Sequence, residues 1–580
     1  MATMLGTGAA AGASFAEEEK PAYRSVALAG LAYAAMILIM WGAFNPYSGL
    51  PYETGFPYVS ENTTWQEGFL YRADPLRIHT NTFYQLSYLI GEALGVGGSY
   101  VPFQAVYAVL WWARGLLVFL ILLRFLPGCL SVCYAAGALV VTHASDGALQ
   151  WVGQLNQFGF IFWMLLGFYF LTLAYEIKDR DLAGLLTVTA CFFEYMSLWS
   201  YESQILLLLV FPLVLFFHPH RDWRKRATLS GAWYSVPAVY LALTVHKYAH
   251  AAQTYQQSVM RTSWGLGSLM SDWSFNIVAS LDFWHWARAG WRVPEGPPIM
   301  FSLLAALVFV AAGFAVSHQA SKSARLGLRL ADTRKSWVLL AVGFVLLVLS
   351  FPVYLLLDSA RGLWRTQFLS GIGAGLVFTA LLALLSQPVR HPLLRNIAFL
   401  GLGGTIVFFG SLSAIQKGAF HRWIWERHRT AIVEILRLVP SVKPETVIVL
   451  ANVPKNDDPF GHNMWLDLAL RLAYPRIRVA GVYFYTDGTP APGDNLKAEG
   501  ERWKWDRTGY PPIVRDTAIS DTVIVDFDPS GHGTLAKIMA PFVCQANCAA
   551  GLYNPAAVIT GPISPRTVRR YRLDASFMAP

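Results

Sequence analysis

Arg361 and Arg365 stand four residues apart with Trp364 between them, a spacing that puts two guanidinium groups on one face of a helical turn. Two cations beside an indole can grip a phosphate or pyrophosphate through charge-assisted hydrogen bonds. The plainer reading is a pair of arginines anchoring a helix end at a membrane surface. A second group is acidic. Glu53, Glu61 and Asp74 share one polar stretch, where a carboxylate can take the proton from a hydroxyl or hold a divalent cation, Mg or Mn, against a phosphate. Glu61 has Ser60, Asn62 and Trp65 for company, and Asp74 lies between Arg72 and Arg77, which can neutralise it. Solvated acids are common in loops, so the pattern does not choose among the three. Glu202, in the run Ser200, Tyr201, Glu202, falls where two apolar segments meet, and a carboxylate there faces both water and a lipid headgroup. Glu194 lies inside an apolar run, which makes it a functional candidate by default or else a carboxyl satisfied by a neighbouring helix. His143, Asp146, Gln150, Gln154 and Asn156 gather hydrogen-bonding groups around Trp151. That set suits sugar hydroxyls with an indole to stack on, and equally suits a solvated turn.

Other groups are weaker. His246 and His250 have the i, i+4 spacing of a metal pair but lack a third ligand, and Asp457, Asp458, Asp526 and Asp528 sit in no complete calcium-loop motif. Cys129, Cys133 and Cys191 lie in apolar runs as small hydrophobes, while Cys544 and Cys548 are a lone pair too sparse for a zinc site.

The elements that must position these residues follow from composition. Only 14% of the 580 residues are charged and 55% are hydrophobic, with a mean hydropathy of +0.40. A soluble domain carries about a quarter charged residues, so lipid must face much of this chain. The apolar residues fall in windows near 24–44, 104–126, 127–144, 158–177, 182–200, 203–218, 229–247, 299–317, 337–357, 369–386 and 396–414, about eleven transmembrane helices of a polytopic α-helical membrane protein. Residues 1–23, small and acidic, read as a disordered N-terminus. With that end in the cytoplasm, Lys178, Arg224, Lys225, Arg226, Arg334, Lys335, Arg390 and Arg395 all fall inside, as the positive-inside rule requires. The same loops account for the net charge of +9, and no basic fold motif argues for a nucleic-acid partner. An odd number of spans puts the C-terminus outside.

Two long outer loops interrupt the transmembrane region 24–414. Residues 45–103 contain a helix around Asn81 to Leu94, and residues 248–298 are rich in tryptophan. Residues 415–439, with Lys417, Arg422, Arg427 and Arg429 among Phe420, Trp423 and Trp425, read as an amphipathic linker helix in the membrane interface. Residues 440–580 read as a small soluble α/β domain: strands at 446–451, 478–485 and 522–527, with helical spacing from Trp465 to Ala473.

In this order of parts the chain resembles the GT-C superfamily of integral-membrane glycosyltransferases. The likeness rests on the acidic loop behind the first span, on Ser200, Tyr201 and Glu202 at a central junction, on Arg361 and Arg365, and on Val449 to Phe460 at the opening of the C-terminal domain. It implies transfer of a sugar from a polyprenyl-phosphate donor to a glycan, lipid or protein acceptor on the outer face of a membrane, there a bacterial inner membrane. Under it, Arg361, Arg365 and Glu202 hold the donor phosphate. Glu61, Glu53 or Asp74 activates the acceptor hydroxyl. Many members carry a carboxylate close behind the first span, whereas this chain has Asn45, Pro46 and Tyr47 there and its nearest acid is Glu53. Two rivals come from other classes. A transporter or flippase would use charges at mid-membrane, as Glu194 offers, and a non-catalytic scaffold would bring no acids and arginines together.

Overall fold

A computed structural model describes residues 12–42, 69–70, 74–96, 99–218, 222–250, 260–262, 264–284, 298–323, 332–357, 366–493, 495–506, 517–539, 542–543 and 549–573. Each of the eleven apolar windows holds a helix. In chain order the helices are α1 (Gly12–Gly42), α2 (Thr82–Ala93), α3 (Val101–Phe125), α4 (Leu130–Thr142), α5 (Leu155–Glu176), α6 (Arg180–Leu198), α7 (Ile205–Val214) and α8 (Trp223–His250). They continue through α9 (Leu266–Leu281), α10 (Pro298–Ser323), α11 (Thr333–Leu349), α12 (Gly371–Ser386) and α13 (Pro392–Leu438). Among the described residues, 7 helices are long and apolar enough to cross a bilayer by length and composition, and α4, α7 and α12 are shorter apolar helices. Helix α2 is the one expected in the first loop, and α9 lies in the second. The chain has the long apolar helices of an integral membrane protein, followed by a sheet-containing C-terminal region.

Small residues let the helices touch. A Cβ on Gly115 of α3 would stand 2.3 Å from the Val141 side chain and 2.8 Å from the Gly137 carbonyl of α4. One on Gly373 of α12 would stand 2.4 Å from the Leu347 backbone nitrogen of α11. Without a hydrophobic drive between helices in lipid, such backbone approach is what holds a bundle together. At the end of the bundle away from the long loops, Glu176 joins Arg124 at 3.1 Å and His218 at 3.0 Å.

Residues 415–439, expected as a separate interfacial helix, are instead the C-terminal half of α13, which runs unbroken for 47 residues. One side of that half, with part of its aromatic and basic side chains, is spent on protein contacts, while Arg422 and Trp423 stay exposed. Lys417, His421, Trp425 and His428 are buried, and the Trp425 ring lies 5.3 Å from Tyr100 and 6.2 Å from Tyr571. The same pattern of mixed aromatics and cations would serve a lipid interface, which is why sequence alone misreads it.

The rod of α13 delivers the chain into a four-stranded sheet of order β2-β1-β5-β6, with a separate β3-β4 pair. The strands are β1 (Thr446–Val453), β2 (Val479–Tyr485), β3 (Asn495–Glu499), β4 (Arg502–Asp506), β5 (Thr522–Phe527) and β6 (Gly533–Leu535). β1 runs parallel to both β2 and β5 and is covered on both faces, as its continuous Val and Ile run requires. Helix α14 (Asn463–Ala473) makes the crossover from β1 to β2, and α15 (Pro565–Tyr571) ends the fold. Through α15 the domain reaches back to the first loop, where Arg566 pairs with Glu92 of α2 at 2.6 Å. The C-terminal domain and the first loop therefore share one end of the bundle.

Candidate functional site

At that end the first loop folds over the junction between α6 and α7. The backbone N–H of His79 donates to the Trp199 carbonyl at 3.0 Å, and the Thr80 hydroxyl donates to the Ser200 carbonyl at 2.8 Å. This register lays Arg77 on Glu202: its Nε donates to Oε2 at 3.0 Å and its Nη2 donates to Oε1. The guanidinium also lies 4.7 Å from the centre of the Tyr201 ring. Burial works against the charge on Arg77, but the Glu202 carboxylate, by charge and hydrogen bonding, holds its pKa above the ordinary value. Asp74 accepts from Lys247, at the end of α8, at 2.8 Å and caps its own turn through Leu76 N–H at 3.0 Å. Tyr240 and Tyr248 of α8 lie within electrostatic reach of Asp74, Arg77 and Glu202. Two carboxylates, two cations and a rim of phenols thus come from three separate parts of the chain. His79, whose Nε2 lies 3.0 Å from the Tyr195 hydroxyl, borders them, and burial holds its imidazole below the ordinary value.

A second polar cluster stands behind it. Asp146 is buried, and its carboxylate accepts from the backbone N–H groups of Ala148 at 2.7 Å, Gln367 at 2.8 Å and Phe368 at 3.1 Å. Arg114 donates to the Phe368 carbonyl at 3.2 Å and to Val140 at 2.7 Å. His143 Nε2 lies 2.8 Å from the Ser280 carbonyl, and the Ser280 and Ser370 hydroxyls are 2.6 Å apart. On the near flank, Arg261 N–H donates to the Leu356 carbonyl at 2.9 Å while its side chain pairs with Asp272 of α9. The connector between α11 and α12 is therefore pinned on both sides, by the second loop before it and by Asp146 after it.

The sequence-derived candidates divide accordingly. Asp74 and Glu202 meet in one cluster. Glu202 takes Arg77 as its partner, and Asp74 is engaged by Lys247. Glu53, Glu61, Arg361 and Arg365 lie outside the described residues. Asp146, Gln150 and Trp151, expected to face a sugar, are at most 9% exposed and bonded within the protein. Gln150 donates to the Ala414 carbonyl at 2.9 Å, and the Trp151 indole N–H donates to His421 Nε2 at 2.8 Å. Gln150 and Trp151 thus clamp the loop to α13, while Asp146 clamps it to the connector before α12, where two backbone N–H groups need an acceptor. Gln154 is partly exposed in a short turn before α5. Glu194 is fully buried, with neither oxygen hydrogen-bonded among the described residues. Sequence reasoning missed Arg77 and Lys247 as members of the site. Lys247 carried a usable signal, a cation on the side where orientation disfavours one. Among the described residues no three His, Cys, Asp or Glu side chains come together as a metal site.

Comparison of the sequence with known family patterns and with curated proteins found no match. Among solved structures, the chain is similar to ArnT from Cupriavidus metallidurans bound to undecaprenyl phosphate, at 13% identity and a TM-score of 0.35, over 78% of this chain and 89% of that one. The apo state of the same protein matches at 14% identity and a TM-score of 0.33, over 74% and 83%. The Archaeoglobus fulgidus oligosaccharyltransferase in complex with Zn and sulfate matches at 13% identity and a TM-score of 0.39, over 94% and 76%.

Proposed function

We propose that the protein transfers a sugar from a polyprenyl-phosphate donor to an acceptor hydroxyl, with the chemistry at the loop end of the bundle. The observation that carries this reading is the meeting of Asp74, Arg77, Glu202 and Lys247, from the first loop, the central junction and the end of α8. A scaffold has no need to bury acids and cations together, since desolvating them is costly.

In the reaction, the acceptor oxygen attacks the anomeric carbon, the bond from that carbon to the phosphate oxygen breaks, and the polyprenyl phosphate departs with the bonding pair. Two tasks fall to the protein. Cations must stabilise the leaving phosphate, and a carboxylate must take the acceptor proton. Arg361 and Arg365 are suited to the first task, on a connector whose flanks are clamped by Arg261 and Asp146. Arg77 and Lys247 are the nearer described cations, and Glu202 orients Arg77. Glu61 or Glu53 is the base in this reading. Asp74 is already engaged by Lys247, which leaves it a positioning role in this reading. In this reading the carboxylates of the first loop are the groups that would hold Mg or Mn against the donor phosphate.

The test is transfer from a radiolabelled polyprenyl-phosphate sugar by purified protein in detergent. Glu61→Gln, Arg361→Ala and Arg77→Gln are each expected to lower turnover at least tenfold while the protein stays folded. Full turnover in all three variants would reject the site, and no transfer by the unaltered protein from any such donor would reject the reaction.

A further inference from the structure

The C-terminal domain has a crevice of its own. β1 lies between β2 and β5, so the chain leaving β1 turns one way through α14 to β2, while β5 lies on the other side. Connections that diverge from neighbouring parallel strands leave a gap at their carboxyl ends, and open α/β sheets bind ligands there. Here the gap is roofed by the C-terminal half of α13. Two adjoining cavities of about 300 Å³ each share Trp423, Arg427, Pro459 and Phe460. Loop residues after β1 and after β5 line the first, and Trp465 of α14 closes the second.

The lining is specific in chemistry. The Arg427 guanidinium stacks 4.5 Å from the centre of the Trp423 ring and forms an ion pair with Asp457. Its Nε is buried with no hydrogen-bond partner among the described residues. Trp423 is 45% exposed, so an indole face is open to a ligand. Glu426, Asp457 and Asp458 outnumber the single arginine, which disfavours an anion. Asp458 is already committed, accepting from the Tyr483 and Tyr485 hydroxyls at 2.7 and 2.8 Å. Aromatic faces beside planar, charged hydrogen-bonding groups fit a neutral polyhydroxylated ring, which has apolar C–H faces and hydroxyl edges.

We infer that this crevice is a carbohydrate-binding site for a neutral oligosaccharide, with Trp423 as stacking platform and the Arg427–Asp457 pair bonding ring hydroxyls. As the place where a glycan acceptor is held it rests on the transferase reading; as a binding site it does not.

The experiment is saturation-transfer NMR on the full-length protein in detergent, with neutral trisaccharides of glucose, galactose, mannose and N-acetylglucosamine as probes and a sialylated trisaccharide as the anionic control. Binding of at least one neutral probe is expected, weakened at least tenfold in Trp423→Ala and in Arg427→Gln, with polyprenyl-phosphate binding unchanged. Should Trp423→Ala melt early, Ser530→Trp, which fills the cavity and keeps the platform, must abolish the signal. The inference is overturned by silence from every neutral probe or by undiminished binding in the variants. It is equally overturned by preference for the sialylated probe, or by loss of the signal in phosphatidylglycerol nanodiscs, which would assign the crevice to lipid. The assay needs no transfer, so it can succeed where the transferase reading fails, and the reverse.

Discussion

Arg77 and Glu202 are separated by 125 residues and meet side by side at the mouth of the bundle. Of the two, only Glu202 was legible as a site residue, because a carboxylate that interrupts apolar sequence stands out, whereas an arginine in a polar loop does not. Removing Arg77 leaves Glu202 partly buried without its partner, at a cost of about 2 kcal/mol. Arg77→Lys keeps the charge but loses the fork, so it is expected to restore less than a tenth of the turnover that Arg77→Gln loses, measured as sugar transfer. A second prediction concerns pH. Burial pushes the Asp146 carboxyl up to about 7, so its contribution to stability is fully present in acid and is lost as pH rises from the ordinary 3.8 towards 7. Asp146→Asn removes that titration. Its Tm is expected to fall less than that of the parent between pH 5.0 and 7.5, and parallel pH profiles would contradict the assignment.

Among the elements, the helices were readable because apolar runs of bilayer length have few other fates, and all eleven windows hold one. Their contacts were not readable, since a glycine facing a neighbouring helix and one facing lipid look alike in sequence. Gly373 and Gly401 separate the cases. A Cβ on Gly373 would collide with the α11 backbone, while one on Gly401 of α13 meets nothing within 4 Å. Gly373→Ala is expected to destabilise by about 2 kcal/mol as α11 and α12 are forced apart, and Gly401→Ala to be neutral or slightly stabilising. Thermal melts in one detergent compare them directly, and equal Tm values would refute the packing account. Strands β1, β2 and β5 were equally plain from their β-branched runs, whereas β3, β4 and β6, which lack such runs, were not read from the sequence. The continuity of α13 was hidden, because buried cations and indoles imitate an interfacial helix.

For the whole molecule, the first loop, the α6–α7 junction, the clamped connector and the C-terminal domain gather at one end, and the basic loops at the other. The positive-inside rule then predicts that the domain end faces out of the cytoplasm. A cysteine replacing Ile538, 78% exposed on the domain, is expected to react with an impermeant maleimide on intact cells, and one replacing Asp181, at the start of α6, only after lysis. The reverse pattern would invert the topology and remove the outer-face reaction with it. Sequence by itself determined that this chain lives in lipid, where its apolar helices and its three β-branched strands fall, and which charges are out of place, because hydrophobicity and periodicity act locally. Only the tertiary structure decided that Asp146 is a clamp, that Glu202 answers Arg77, and that a crevice opens beside Trp423. Those outcomes depend on which distant backbone groups need a partner once the helices have packed, and no local pattern encodes that need.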